Sequence, residues 1–358
     1  MKKLLITGGS GLLAVNWALS VRNNFEVTLL LHRRKIFLTG INTDIASLDS
    51  LEECISVLSK YQPDIVIHTA GIADVEKCES SPDLAHEVNV DLSKNIALAC
   101  SEQGVKLVHI STDHLFSGDQ ELVTEEDEAS PVNSYAKTKL LGEQYVLENC
   151  KDALIVRTNF FGWGAEYRQS FSDFIINKLR SDETIDLFSD VFFTTILIEE
   201  LSKKTHQLIA EDLSGVFNIV GSERLSKYEF GIKLANCFDL STNLINEISI
   251  KDKPNLVKRP MDMSLSNKKI CKTLNCIMPS IDEQLQTLKQ QESESTINQV
   301  VTDLIPYGKH YIDEDDIQSV VDVLRHGALT QGPKIAEFEN KVADYVGAKY
   351  AVAVANGT

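Results

Sequence analysis

The chain has 358 residues, 43% of them hydrophobic and 24% charged, which is the composition of a globular protein long enough for two or three domains. Its 35 Lys and Arg against 52 Asp and Glu give a formal net charge of −17, which argues against a general nucleic-acid surface while allowing a local basic pocket. Seven cysteines (Cys54, Cys78, Cys100, Cys150, Cys237, Cys271 and Cys276) lack CxxC or Cys/His ligand spacing, so they read as reduced thiols of a cytoplasmic protein and no metal site is expected.

Met1-Lys2-Lys3 precedes an apolar run of only Leu4-Leu5-Ile6, which reads as a first buried strand over 3–7 rather than a signal peptide. No window approaches the length of a membrane span. A glycine turn follows, then a helix over 12–22. Phe25 to Leu31 is a second strand, and Leu48, Leu51, Ile55 and Leu58 give helical spacing over 48–60. Asp64 to His68 is a third strand. A long helix covers 82–103, with Pro82 suited to its first turn. Lys106 to Ile110 is a fourth strand, 133–149 a helix, and Ala153 to Val156 a fifth strand.

Nearly continuous apolar strands alternating with helices predict a parallel sheet covered on both faces, the doubly wound α/β (Rossmann) fold, with ligand at the carboxyl ends of the strands. The sheet domain spans about 1–160. Beyond it the alternation becomes irregular, aromatic and polar residues mix, and Gly215 to Val220 forms a short apolar strand. Residues 161–290 read as a smaller α/β substrate lobe, completed by elements that return to the main sheet. The polar stretch 291–303 reads as a linker. An incomplete unit over 304–358 follows, with helices at 313–326 and 334–346 and a strand from Tyr350 to Val354.

The turn Gly8-x-x-Gly11-x-x-Ala14 lies between a strand and a helix, the context that a dinucleotide fingerprint needs. Gly8 permits the tight turn, and Gly11 lets backbone amides approach a pyrophosphate at the helix N-terminus. Ser10 and Leu12 in the same turn are counted with them. An NAD site usually ends its second strand with an acidic residue for the ribose hydroxyls. Here His32-Arg33-Arg34 follows, and the guanidinium groups of Arg33 and Arg34 suit a 2′-phosphate. The reading therefore leans to NADPH, with NADH as the alternative. Asp44 and Ile45 are expected to border the adenine, and Ala70-Gly71 to leave room for the cofactor backbone.

Tyr135 and Lys139, four residues apart, share one helix face and follow a strand that ends in Ser111-Thr112-Asp113. Hydride delivery to a ketone makes an alkoxide that needs a proton. Tyr135 is the expected donor, with Lys139 lowering its pKa and bonding the cofactor ribose, and Thr112 orienting the carbonyl oxygen.

At these residues the chain resembles the extended short-chain dehydrogenase/reductases, and within them the dTDP-4-dehydrorhamnose reductase group. The matching segments are His68 to Glu79, Ile110 to Gly118, Ser130 to Lys139, Val156 to Asn159, Gly215 to Glu223 and Lys258 to Pro260, and the resemblance covers about residues 1–290. It implies Thr112, Tyr135 and Lys139 as the catalytic trio, with Asp113, His114, Asn159 and Arg259 at the substrate. His114 stands where the group often has Tyr, and reads as a packed or hydrogen-bonded residue rather than a catalytic one. Related nucleotide-sugar dehydratases carry Thr-Asp-Glu where this chain has Thr112-Asp113-His114, so the base for water elimination is missing and ketone reduction is favoured. The implied reaction is NADPH-dependent reduction of a nucleotide-linked 4-keto-deoxysugar for surface polysaccharide, with room for a homodimer. Other members of the group act as cofactor-binding regulatory subunits, as in methionine adenosyltransferase; the intact Tyr135/Lys139 pair argues against that here.

Ile305-Pro306-Tyr307 to Pro333 and Val346 to Thr358 resemble the opening of DegT-type sugar aminotransferases, which use pyridoxal phosphate on 4-keto nucleotide sugars. The resemblance implies Gly357 and Thr358 as contacts to the cofactor phosphate. The Schiff-base lysine would lie beyond residue 358, so pyridoxal phosphate is expected only where the rest of that domain is present.

Overall fold

The structure is a computed structural model, and it describes residues 1–293, 314–327 and 332–354. The chain divides into two compact units, Met1–Leu304 and Ile305–Thr358.

In the first unit the strands run in chain order as β1 (Lys2–Thr7), β2 (Phe25–Leu31), β3 (Asn42–Ile45), β4 (Ile65–His68), β5 (Lys106–Ile110), β6 (Leu154–Arg157), β7 (Phe160–Phe161), β8 (Ile185–Phe188), β9 (Phe192–Phe193), β10 (Ile196–Leu197), β11 (Gly215–Asn218), β12 (Leu225–Ser226) and β13 (Ile245–Ile248). Seven of them form one parallel sheet in the order β11-β6-β5-β4-β1-β2-β3. The strand order reverses between β1 and β4, and a doubly wound sheet opens its ligand crevice at such a point.

Pleating sends alternate residues of β1 to opposite faces. Leu4 and Ile6 join a core with Leu29, Trp17 and Leu201, whereas Leu5 joins another with Leu30, Val66 and Ile96. Helices α1 (Leu12–Val21) and α8 (Ile198–Ala210) cover the first face; α2 (Leu51–Tyr61), α5 (Leu92–Gln103) and α6 (Ser134–Asn149) cover the second. A third core around Phe161, Phe193 and Phe230 unites β7 and β9 with α7 (Phe171–Arg180) and α9 (Lys227–Cys237) in the lobe. That lobe returns to the main sheet through β11, which pairs with β6 from Gly215↔Leu154 to Asn218↔Arg157.

Several expectations need correction. After α3 (Val75–Ser80), the helix expected over 82–103 is three pieces: α4 (Pro82–His86), a π-helical turn at Glu87–Asp91, and α5. The strand Asn42–Ile45 escapes a search for apolar runs because it is a sheet edge with only polar or exposed side chains. The expected linker begins too early, since Gln291 to Ser293 are the last turn of α11 (Ile281–Ser293), the helix after α10 (Lys268–Thr273); the rest of it lies outside the described residues.

In the second unit, α12 (Glu314–His326) and α13 (Pro333–Val346) lie close to their expected bounds. Tyr350 to Val354 is not a strand, because among the described residues it has no neighbour to share a hydrogen-bond ladder. Tyr350, Val352 and Val354 are each at least 75% exposed. Gly357 and Thr358 lie outside the described residues.

Candidate active site

A cleft of about 1070 Å³ runs along the carboxyl ends of the strands. The glycine turn, the Arg33-Arg34 segment, Ala70-Gly71, Ser111 to His114, Tyr135, Lys139 and Asn159 all line it.

At one end, Gly8 has φ +65°, and a Cβ there would stand 2.8 Å from the Ala70 Cα. The turn after β1 and the loop after β4 therefore touch backbone to backbone, and only glycine fits. Gly11 caps α1 with no side-chain hydrogen bond, which leaves the first amides of that helix facing the cleft. Tyr167 donates its hydroxyl to the Ser10 carbonyl at 3.0 Å, and the Arg34 guanidinium stacks 4.5 Å from its ring centre. The basic corner is thus tied to the glycine turn through an aromatic residue that sequence reasoning missed. Tyr167 lies more than 150 residues from Ser10, and nothing local announces the contact.

Asp44 and Ile45 are not on this cleft. Asp44 accepts from Lys60 at 2.6 Å and from the Tyr61 hydroxyl, in a separate cavity at the β3 edge, and Ile45 is 42% exposed. The cleft wall here is Ala46, Leu48 and Asp49 instead. Those Lys60 and Tyr61 bonds hold the Asp44 carboxyl down at about 2, so it is an ionised partner of α2.

At the other end, α6 presents Tyr135 and Lys139, both buried. Asn133 caps this helix by accepting from the Ala136 amide at 2.9 Å. Burial raises the Tyr135 pKa; a hydrogen bond with Thr112 works against that rise, while the Asp113 and Cys78 charges add to it. Lys139 donates from Nζ to the Ile110 carbonyl at 2.8 Å, and burial lowers its pKa to about 8 against the pull of Glu143. That bond holds the Lys139 ammonium at the end of β5. Glu143, one turn further along α6, makes a forked buried pair with Arg157 of β6 at 2.8–3.2 Å.

Asp113 is fully engaged, accepting from Asn159 Nδ2 at 2.8 Å and from Thr112 Oγ1 at 3.3 Å. His114 packs edge-on against the Tyr135 ring at 5.4 Å, and burial lowers its pKa. Arg259 does not line the cleft. Its Nη2 donates to both oxygens of Glu76 at 2.5 Å, and its charge acts on His114.

The two ends are joined by a buried hydrogen-bond chain that the sequence did not disclose. Thr7 Oγ1 lies 2.8 Å from His68 Nδ1, and His68 Nε2 lies 3.2 Å from Ser93 Oγ. Ser93 donates to the Asn89 carbonyl at 2.9 Å. Asn89 Nδ2 donates to Thr138 Oγ1 at 3.1 Å, and Thr138 donates to the Tyr135 carbonyl at 2.9 Å. Asn89 sits in the π turn and also grips both the amide and the carbonyl of Ile72. Its carbonyl would stand 2.6 Å from a Cβ at Gly142 of α6, so the turn abuts that helix directly. A π turn re-aims one residue within a helix, and here that residue is Asn89.

The strand order, the glycine-only contact and the buried Thr112–Tyr135–Lys139 set define a Rossmann-type protein of the short-chain dehydrogenase/reductase class. Residues 1–293 match the RmlD substrate binding domain, and the chain belongs to that family. Residues 310–358 match the DegT/DnrJ/EryC1/StrS aminotransferase family. The probable low-salt glycan biosynthesis reductase Agl14 of Haloferax volcanii is 29% identical over 248 residues, 68% of this chain and 82% of that one. Methionine adenosyltransferase 2 subunit beta of Rattus norvegicus is 30% identical over 281 residues, 75% of this chain and 81% of that one. The structure of dTDP-4-dehydrorhamnose reductase from Bacillus anthracis in complex with NADP superposes with a TM-score of 0.70 at 25% identity, covering 81% of this chain and all of that one. No described helix is long and apolar enough to cross a membrane.

Proposed function

We propose that residues 1–293 form a cytoplasmic, NADPH-dependent reductase of a nucleotide-linked 4-keto-deoxysugar. The observation that carries this reading is the convergence of Thr112, Tyr135 and Lys139 on the cleft whose far end is the glycine turn with Arg33 and Arg34. The glycine turn fits a dinucleotide on its own geometry: Gly8 removes the Cβ that would separate the two strand-end loops, and Gly11 leaves the α1 amides facing the cleft. The relatives named as reductases, one of them solved with NADP, point the same way.

NADPH, when bound, supplies the hydride. Ser10, Gly11 and Leu12 would hold its pyrophosphate by backbone amides, and Arg33 and Arg34 its 2′-phosphate. Lys139 would bond the ribose from its station at the Ile110 carbonyl. Thr112 hydrogen-bonds the Tyr135 hydroxyl and would orient the substrate oxygen against it. Burial keeps Tyr135 protonated at neutral pH, so its Oη–H stands ready for the alkoxide oxygen. His114 carries no carboxylate for elimination, which leaves proton donation to oxygen as the chemistry of this end.

A panel of dTDP- and UDP-linked 4-keto sugars tests the proposal by loss of reduced-nicotinamide absorbance and by product stereochemistry. NADPH binding with no consumption on any of them would sink it. The second reading, a regulatory subunit, rests on the 30% identity to methionine adenosyltransferase 2 subunit beta. It requires stoichiometric co-purification with a partner enzyme and no turnover.

A further inference from the structure

Lys227 is the first residue of α9. Its backbone is fixed by the Ser226 cap and by its amide bond to the Val191 carbonyl at 3.0 Å. The side chain lines the cleft, with Nζ 3.4 Å from the Phe193 ring centre and 5.2 Å from that of Phe171. Among the described residues it makes no hydrogen bond and no ion pair; Asp113 and Arg259 act on it only through their charges. Asp113 is already occupied by Asn159 and Thr112, and Arg259 by Glu76, while Arg259 Nε is buried without a partner. The charges of Lys227, on the cleft, and of Arg259, off it, both reach His114, while the Asp113 carboxylate spends its hydrogen bonds on Asn159 and Thr112 and meets Lys227 by charge alone.

This ammonium is half-buried against two aromatic faces, and the one carboxylate that acts on it does so by charge alone, so its N–H donors are left for an anionic oxygen from the cleft. Sugar hydroxyls would not compensate the ammonium. In a pyranose the 1- and 4-carbons lie across the ring from each other. A phosphate on C1 would thus sit one ring-width from a carbonyl held at Tyr135.

We infer that Lys227 is the residue of this cleft that contacts an anionic oxygen group of the substrate, next to the sugar ring. The group is either the diphosphate of a nucleotide sugar or a carboxylate on the sugar itself. This rests on the sugar-nucleotide reading above. The cleft wall of Phe171 and Phe193 sets the ammonium's position, so the contact discriminates charged from neutral ligands at that point.

Calorimetric titration of the full chain, pre-bound with NADPH, tests it with UDP, UDP-glucose and UDP-glucuronate and with the dTDP counterparts of the first two. Lys227→Met is expected to weaken all of them about tenfold or more if the diphosphate is the partner. It should weaken UDP-glucuronate alone if the partner is a carboxylate. Lys227→Arg should retain most of the affinity in either case. NADPH affinity and the thermal transition should be unchanged in both variants. Should Lys227→Met fold poorly, Lys227→Gln takes its place in the same titrations, with the same losses expected. Equal affinities in parent and Lys227→Met, or parent protein that binds NADPH but none of these probes, would overturn the assignment. Lys227-dependent probe binding without reduction of any keto sugar would instead sink the reductase reading and leave the assignment standing.

Discussion

The two ends of the cleft are made of opposite materials. The glycine-turn end is backbone and exposed side chain: Gly8 and Gly11 act by what they lack, and Arg33 and Arg34 reach the cleft from an exposed corner. The Tyr135 end is buried and polar, with Thr112, Asp113, Tyr135, Lys139, Glu143 and Arg157 all withdrawn from water. Backbone contacts tolerate almost any neighbour but no added carbon. Buried polar side chains tolerate little change in their partners, because each one left alone keeps its desolvation cost. The first end should therefore fail sterically, the second electrostatically.

The largest expected effect falls at the polar end. Tyr135→Phe removes the proton donor and should lower NADPH turnover by roughly 10²–10⁴-fold, while fluorescence titration shows unchanged NADPH binding. An equal loss of binding would mean that the two ends are not separable. Next comes Glu143→Ala, which strands Arg157 in the core and should cost about 3–5 kcal/mol by urea denaturation. A loss below about 1 kcal/mol would mean that the pair is hydrated and the end is not dry.

Gly8→Ala probes the other end. A methyl group 2.8 Å from Ala70, at φ +65°, should cost about 1–3 kcal/mol and remove measurable NADPH affinity. Near-normal affinity would show that the two loops separate easily.

Acid titration separates the ends by charge. Burial lowers the His68 pKa from 6.5 to about 3. The unfolded chain gains that proton near pH 6.5 and the folded chain only near 3, so stability falls as pH drops between them. The loss from this one group is up to about 1.4 kcal/mol per pH unit. His68→Gln should flatten the denaturation midpoint between pH 6 and 4, and an unchanged slope would place the acid sensitivity elsewhere. The smallest effect is expected from Arg34→Ala: about three- to tenfold weaker NADPH binding with NADH unaffected, measured side by side.

Much of this was legible because local chemistry and tertiary role coincide. Leu4-Leu5-Ile6 is buried on both faces, so it is apolar throughout and announces a central strand. Gly8 must be glycine wherever this turn exists, and Tyr135 and Lys139 are in register because the helix period puts them there. What escaped depends on partners distant in sequence. Asn42–Ile45 is a strand only because β2 lies beside it, and Asp44 turns to α2 because Lys60 and Tyr61 are there. The Asn89 turn is set by Ile72 and Gly142, and Tyr167 is placed by Ser10. Tyr350 to Val354 shows the converse: an apolar run is a strand only when a neighbour accepts its hydrogen bonds.

The chain from Thr7 to Tyr135 has one further property, which follows from counting hydrogens. Ser93 has a single hydroxyl hydrogen and spends it on the Asn89 carbonyl, so it can only accept from His68 Nε2. His68 is then the Nε2–H tautomer, its Nδ1 is a lone pair, and Thr7 must be the donor. Every link therefore has a fixed sense, running from the base of the glycine turn toward the catalytic helix. A second proton on His68 has no acceptor unless the Thr7 hydroxyl turns around. Protonation of His68, which burial delays to about pH 3, should thus loosen the floor between β1 and β4, and the His68 ring nitrogen resonances would register that event directly.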